Sequence, residues 1–542
     1  MTEQVDNIKS GKSPFQPFYY AAVLIFGIVI GIFLADKNLF SIKIGAEDNP
    51  NKLVSLIDFI EENYVDSVDK KIIIDDAIAA ILNRLDPHSS YFTPEQYAQA
   101  QEELNGSYDG IGIEFIILRD TLMVNRVIEN GPSMQAGLLA GDRIIQVDGK
   151  NISAIGLTNE SVMKLLKGKS GTSVNLDLKR KSESLKVTVQ RGALPLPSVT
   201  ASYELQPSIG YVKIERFGQN TYNEFVSAVR NLRLDGCSSL VIDLRDNGGG
   251  LLEQSTAIAQ EFLEAGQLMV YTEGLHSPRK DYITNKRGEF VDMRLAVLID
   301  ENSASASEIL AGALQDWDRA LIVGRRSFGK GLVQNEVLLP DNSAIRLTTA
   351  RYYTPTGRCI QKPYDKKDVY QQETNSRWES GEMYDESQIV KNDSMKKLTP
   401  KGRAVYGGGG IIPDVFTPYD STKVSLSFVQ LVNSGILRNI GFDYLDHNRG
   451  LVKKYPSSTD FSAKYTVPEL LIQNVFAVAE KENLSLAISE KNKLRPLISE
   501  RMKAQISRSL FGEQAMIEFI NSLDNDISSA INALENYDQL FK

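Results

Sequence analysis

Cysteine and histidine are scarce in this chain: 2 and 3 residues respectively in 542. Cys237 and Cys359 make no paired framework and no zinc-type spacing. A disulfide-stapled scaffold and a structural zinc site are therefore excluded, each thiol reads as buried and free, and no metal or cofactor is expected. A basic stripe is also missing. The formal net charge is -9, which removes nucleic acid from the expected partners. What is present is ordinary for globular protein, with 42% hydrophobic and 24% charged residues. The chain is too long for one core. At roughly 150 residues per domain it should hold three or four units.

One long apolar run stands out. FYYAAVLIFGIVIGIFLA, from Phe18 to Ala35, carries no charge. That is about the length that crosses a hydrocarbon core as a helix, and Phe18, Tyr19 and Tyr20 suit a membrane interface. The run is read as an uncleaved anchor (18–35) behind a cytoplasmic N-terminus (1–17), followed by a polar linker (36–50). Residues 51–105 repeat apolar positions at helical spacing, and Thr93-Pro94-Glu95-Gln96 looks like a helix start. Residues 106–192 switch to short strands bounded by Gly, Asp and Asn. Residues 193–420 alternate strands and helices, which implies an α/β core, with a charged, polar insertion at 362–400. Residues 421–542 return to helical pattern and carry no readable motif; docking of a second copy or of an adaptor is the expectation there.

The strand-rich segment contains YDGIGIEF and, further on, PSMQAGL and GDRIIQVDG. Together these resemble a PDZ domain. A GxG loop can present successive backbone N–H groups, because glycine permits the required dihedrals, and such a nest can capture a terminal carboxylate. The resemblance implies that Gly110, Ile111, Gly112 and Ile113 hold the C-terminal tail of a peptide. Gly110 and Gly112 as a plain turn is the simpler alternative. The PDZ-like helix ends at Lys167-Gly168, and a lysine there keeps the charge an arginine would bring but loses its planar fork.

ENSASASEIL, residues 301–310, places three serines before an apolar helix. Ser305 and Glu308 have the S-x-x-E spacing of a capping box, so a purely structural role is open. A serine that attacks needs a base. His88, His276 and His447 lie in no recognisable triad motif, and Lys330, between Gly329 and Gly331, is an alternative base if burial lowers its pKa. SASASEILAGAL, then GRRSFGKGLVQ, then RYYTPTGRCIQ, preceded by DLRDNGGGL, by LDPHSSYF and by the PDZ-like segment, resemble the carboxy-terminal processing peptidases, or tail-specific proteases, of serine peptidase family S41. The likeness runs over about residues 50–420. It implies a multidomain α/β fold: a helical N-terminal segment, a PDZ domain, a ClpP/crotonase-like protease core and a helical C-terminal region.

Carried over residue by residue, the resemblance implies Ser305 as nucleophile, Lys330 as base and Gln334 as the residue that orients it. Ala306, at a helix start, and Gly249 or Gly250, after the strand LVIDL, become oxyanion donors. The family loop usually reads N-P-G-G; Gly248 replaces the proline here. The expected function is a membrane-anchored serine endopeptidase that binds protein tails, single-pass in a bacterial inner membrane with its catalytic portion in the periplasm. Two alternatives stand beside it: an inactive PDZ scaffold, and a Ser-His-Asp protease with a PDZ domain.

Overall fold

The computed structural model describes residues 24–26, 52–421, 425–484 and 486–541. They fall into two units, 1–81 and 82–542. In the first, helix α1 (Lys52–Asn63) is followed by the start of α2 (Lys70–Leu82), and Lys70 Nζ bonds Asp58 and Glu61 at 2.6 and 3.0 Å.

In the second unit, β1 (Ser90–Phe92), α3 (Pro94–Asn105) and β2 (Ser107–Gly110) lead into the PDZ-like body. Its sheet comprises β3 (Ile113–Ile117), β4 (Leu122–Val127), β5 (Arg143–Val147), β6 (Lys150–Asn151), β7 (Ser173–Arg180) and β8 (Glu183–Gln190), with α4 (Asn159–Leu166) packed on it. The short strand β9 (Gly192–Pro195) pairs with β2 and closes this body.

The core then alternates: β10 (Val199–Gln206), β11 (Ile209–Ile214), α5 (Thr221–Leu234), β12 (Ser239–Asp243), α6 (Leu252–Gln260), β13 (Leu268–Gly274), β14 (Ser277–Ile283), β15 (Arg294–Ile299), α7 (Ala306–Asp316) and β16 (Leu321–Gly324). Strands β17 (Leu332–Leu338) and β18 (Ala344–Tyr353) follow, then α8 (Lys367–Glu379), β19 (Lys396–Leu398), β20 (Ala404–Tyr406) and β21 (Val415–Phe416). The main sheet has the order β10-β11-β12-β15-β16-β21. From β11 onward it is parallel. Parallel strands covered on both faces read as continuous apolar runs. Here every residue of β11, β12 and β16 is buried. Alternate residues divide between the faces: Ile242, Val297 and Ile322 pack with α5, α6 and α7, whereas Val241, Ala296, Leu298 and Val323 pack on the other side.

The second face is covered from far away in sequence. Ile527, Ala530, Ala533 and Leu534 of α14 (Asn525–Glu535) lie on it. Before it come α9 (Leu426–Asn433), α10 (Ile436–His447), α11 (Glu469–Lys481), α12 (Ile488–Phe511) and α13 (Glu513–Asn521), whose own core includes Leu437, Val475 and Ile498. The stretch 421–542, read from sequence as one helical domain, is thus shared between two cores.

Two further differences from the sequence reading are physical. Ser90–Phe92, expected inside a helical segment, pairs with Ala344–Arg346 of β18 as a strand. The 362–400 insertion lies mostly at the surface, as expected, but also sends paired charge inward: Arg377 is 3% exposed and bonds Glu382. Of the two thiols, Cys237 is buried and Cys359 half-buried.

The expectation of a single-pass protein of a bacterial inner membrane is corrected. A spanning helix needs about 20 apolar residues, and among the described residues no helix is long and apolar enough to cross a membrane. The 18–35 run itself lies, apart from residues 24–26, outside the described residues.

Because α14 closes the second face of the sheet, Ile527→Ala should lower the free energy of unfolding by about 2–5 kcal/mol. Denaturant titration of the whole chain checks this. Unchanged stability would show that the helix is not part of that core.

Candidate active site

Three loops leave the carboxyl ends of neighbouring parallel strands, the place where open α/β sheets form crevices. The first follows β12 and contains Asn247, Gly248, Gly249 and Gly250. The second follows β15 and runs from Asp300 to Ser305, where α7 starts. The third follows β16 and contains Ser327, Gly329 and Lys330.

Asn247 joins the first loop to the second. It is fully buried. Its side-chain amide donates to Ile214 C=O at 2.8 Å and its Oδ1 accepts the Gly249 N–H at 2.9 Å. Its own C=O accepts the Ala304 N–H at 3.0 Å and the Ser307 hydroxyl at 2.9 Å. Ser303 completes the seam, 2.8 Å from Leu244 C=O. Sequence reasoning passed over Asn247. The available signal was an Asn directly ahead of three glycines, a residue that bonds its own turn.

Ser305 stands at the N-cap of α7 with φ 56° and ψ -113°. Such a backbone costs a non-glycine residue about 1–3 kcal/mol and persists only where the surroundings hold it. Gly249 makes room for it: a β-carbon there would lie 2.8 Å from Ser305 Cβ and 2.8 Å from Ala304 O.

Glu308 joins the second loop to the third. It is fully buried one turn into α7. Its Oε1 accepts the Ser327 hydroxyl at 2.6 Å and the Gly329 N–H at 2.7 Å. Its Oε2 accepts the Lys330 N–H at 2.9 Å and the Ser305 N–H at 2.8 Å. One carboxylate oxygen therefore binds the backbones of both Ser305 and Lys330. Tyr352, another residue the sequence reading did not single out, repeats the link on the carbonyl side. Its hydroxyl donates to Lys330 C=O at 2.6 Å and sits 3.2 Å from Ser305 C=O. Burial pushes the Glu308 carboxyl up to about 7, against the four donors.

The Lys330 amine is held below the ordinary lysine range. Loss of water is the main cause; the charge of Arg346 adds to it, and Glu308 and Asp86 oppose it. Ser305 and Glu308 form the capping box of α7, and among the described residues no hydrogen bond joins Lys330 Nζ to Ser305 Oγ. The structure brings their backbones together and leaves the side chains unlinked. Gln334 is not joined to Lys330 either. Its amide donates to Thr348 Oγ1 at 3.3 Å, across the β17–β18 ladder. Thr348 in turn donates to Asp86 at 3.1 Å, which gives the LDPHSSYF segment a place at the rim of the site.

The oxyanion candidates differ. The Gly249 N–H is occupied by Asn247, whereas those of Ala306 and Gly250 have no partner among the described residues. His88 lies nearby but bonds Tyr370 through Nε2 at 2.7 Å. Burial, with the charge of Lys330 second, lowers its pKa to about 4.

At the PDZ-like body, Gly110 is held in the β2–β9 ribbon. The carbonyls of Ile111 and Gly112 accept the N–H groups of Ser133 and Ile128. Ile113 opens β3, an edge strand, beside a cavity of about 540 Å³ that also touches Leu157 near the start of α4 and Arg438 and Phe442 of α10. Lys167 bonds Glu102 of α3 at 2.6 Å.

Comparison with known proteins places this architecture. Residues 208–371 match peptidase family S41 and residues 110–190 match the PDZ domain family. Residues 427–512 match a family of unknown function. The chain is 35% identical over 347 residues to a carboxy-terminal-processing protease of Bartonella bacilliformis, covering 61% of this chain and 79% of that protein. It is 34% identical over 276 residues to a probable CtpA-like serine protease of Staphylococcus haemolyticus, covering 51% and 55%. Among solved structures, the photosystem II D1 C-terminal processing protease is 28% identical over 57% of this chain and 89% of its own, with a TM-score of 0.33. The PDZ domain of a Vibrio cholerae carboxy-terminal protease, solved with a peptide, is 30% identical over 17% and 99%, with a TM-score of 0.16.

The protein is accordingly a serine-type peptidase that carries a PDZ domain. It belongs to peptidase family S41, among the carboxy-terminal-processing proteases.

The raised pKa of Glu308 fixes a sign. Its protonated form is favoured by folding, so its contribution is complete below about 4.5 and is lost as pH rises through about 7. The stability gap between wild type and Glu308→Gln should narrow between pH 5 and pH 8 in urea titrations. A gap that widens would contradict the assignment.

Proposed function

We propose that the protein captures the C-terminal tail of a polypeptide in its PDZ domain and cleaves that chain with Ser305 as nucleophile and Lys330 as base. The observation that carries this reading is the Glu308 carboxylate, which accepts the backbone N–H of both residues and so registers the two loops on each other.

The chemistry follows from the groups present. A desolvated amine is neutral at lower pH than a free one, so Lys330 can accept a proton. It takes that of Ser305 as Oγ attacks the scissile carbonyl. The bond from Oγ to carbon forms, and negative charge collects on the carbonyl oxygen. The open N–H of Ala306, at the start of an eleven-residue buried helix, and that of Gly250 receive this charge. Lys330 then returns the proton to the leaving amine, and water releases the acyl group by the reverse sequence. Nζ must first swing onto Oγ, a motion within reach of a four-carbon side chain. Catalytic contacts often tighten only with substrate bound. Gln334 can steady the amine only after it leaves Thr348.

The tail binds at Gly110–Ile113. The carbonyls of Ile111 and Gly112 are satisfied within the domain, and the N–H groups of this loop are the donors for a terminal carboxylate. The rest of the tail adds as a strand along the open edge of β3, with an apolar final side chain against Ile113. An inactive scaffold would not need a strained serine beside a desolvated lysine. A histidine-dependent enzyme would need an imidazole on Ser305, and among the described residues none bonds it.

Lys330→Ala and Ser305→Ala should each abolish cleavage of a quenched fluorescent peptide with an apolar C-terminus, while its affinity, read by anisotropy, stays within about twofold. Retained cleavage in Lys330→Ala would contradict the dyad. Gly249→Ala should also lose activity, because its β-carbon would meet Ser305. Gly248→Ala, which faces open space, should keep it; equal activity in both would show that the close approach is unimportant.

A further inference from the structure

The three loops of the site share a second connection, made by two arginines. Arg245 lies two residues past β12 and two before Asn247. Its guanidinium grips Asp243 at 2.7 Å through Nη2 and turns Nη1 toward the C-terminal region, to Asp524 at 2.6 Å and Asp526 at 3.0 Å. Arg325 directly follows β16 and begins the lysine loop. Its Nε bonds Glu301, in the serine loop, at 3.0 Å, and its Nη1 reaches Asp526 at 3.3 Å. Strands β12 and β16 are not neighbours, since β15 lies between them. Asp526 therefore spans the strand that carries Ser305 and holds the loops on either side of it.

Asp526 is itself fixed. Asp524 caps α14 by accepting the Asp526 N–H at 2.8 Å. Within the next turn and beyond, Ile527, Ala530 and Leu534 anchor the helix in the core of the sheet. Asp526, Arg325 and Glu301 are 6%, 7% and 8% exposed. Buried ion pairs contribute little net stability, because desolvation offsets their attraction, yet they resist displacement once formed. A network that adds little stability and touches every loop of the site is better explained by placement.

We propose that Asp524 and Asp526 are positioning residues for the peptidase reaction: through Arg245 and Arg325 they set the glycine loop and the lysine loop at working distance from Ser305. The C-terminal end of the chain is then part of the catalytic apparatus, although neither carboxylate touches substrate. This inference rests on the Ser305–Lys330 reading above.

The test uses the full chain and three variants: Asp526→Asn, Asp526→Glu and Asp524→Asn. Three quantities are read: kcat and KM on the quenched peptide, the rate at which a fluorophosphonate labels Ser305, and tail affinity. A misplaced loop should cost about 100-fold in kcat and in labelling rate for Asp526→Asn, at nearly unchanged KM and tail affinity. Asp526→Glu, which restores the charge, should recover most of the loss; a purely structural part would not separate kcat from KM in this way. Wild-type labelling and kcat in Asp526→Asn would overturn the proposal, as would a loss confined to KM. Should Asp526→Asn fail to fold, Asp524→Asn at the rim of the network decides: a reduced kcat at constant KM supports the proposal, and wild-type kcat overturns it. If wild-type enzyme cleaves the peptide and Ser305 takes no label, the dyad reading fails instead, and the two failures are told apart.

Discussion

A single buried carboxylate organises the proposed active site. Glu308 lies one turn into a helix with no exposed residue and collects four donors from two loops. A charge in that position is costly unless every lone pair is used. The requirement works in both directions. The carboxylate needs the loop N–H groups, and the loops, rich in glycine and short of side chains of their own, need the carboxylate to hold one shape. The strained backbone of Ser305 persists for the same reason: the Glu308 bond to its N–H and the Asn247 seam behind it leave no relaxed alternative.

The scaffold makes this arrangement affordable in structural terms. Parallel strands buried on both faces place three consecutive strand ends side by side, and the loops inherit that register. Gly324 shows how tightly the exit is built: a β-carbon there would lie 2.2 Å from Ile299 C=O at φ 118°. Onto this rigid edge the chain adds support from distant segments. LDPHSSYF supplies β1 and Asp86, the charged 362–400 segment grips the carbonyls of Arg326 and Ser327 through Arg377, and α14 closes the far face.

Much of this was legible in the sequence, for identifiable reasons. IGYVKI, SLVID and LIVG are apolar without alternation because both faces are covered. SASASE announces a helix start through its cap spacing, and the GIGI loop announces a turn that only glycine permits. What stayed hidden depends on tertiary contact. Nothing local says that Glu308 accepts from Lys330, 22 positions away, or that Gln334 faces Thr348, which follows from ladder register. The insertion was rightly read as surface; what composition hid is that Arg377 and Glu382 within it pair in the interior. The membrane expectation came from hydropathy alone, in a stretch almost entirely beyond the described residues.

The central claim is that burial, enforced by the Glu308-bound loop, holds the Lys330 amine below the ordinary lysine range. Its titration can be followed directly by NMR after ¹³C reductive methylation of Ser305→Ala protein, with Lys330→Arg used to assign the signal. The account predicts that this amine titrates clearly below the ordinary lysine value of 10.5. Titration at or above that value would mean that Lys330 is an ordinary cation and that Ser305 has no base.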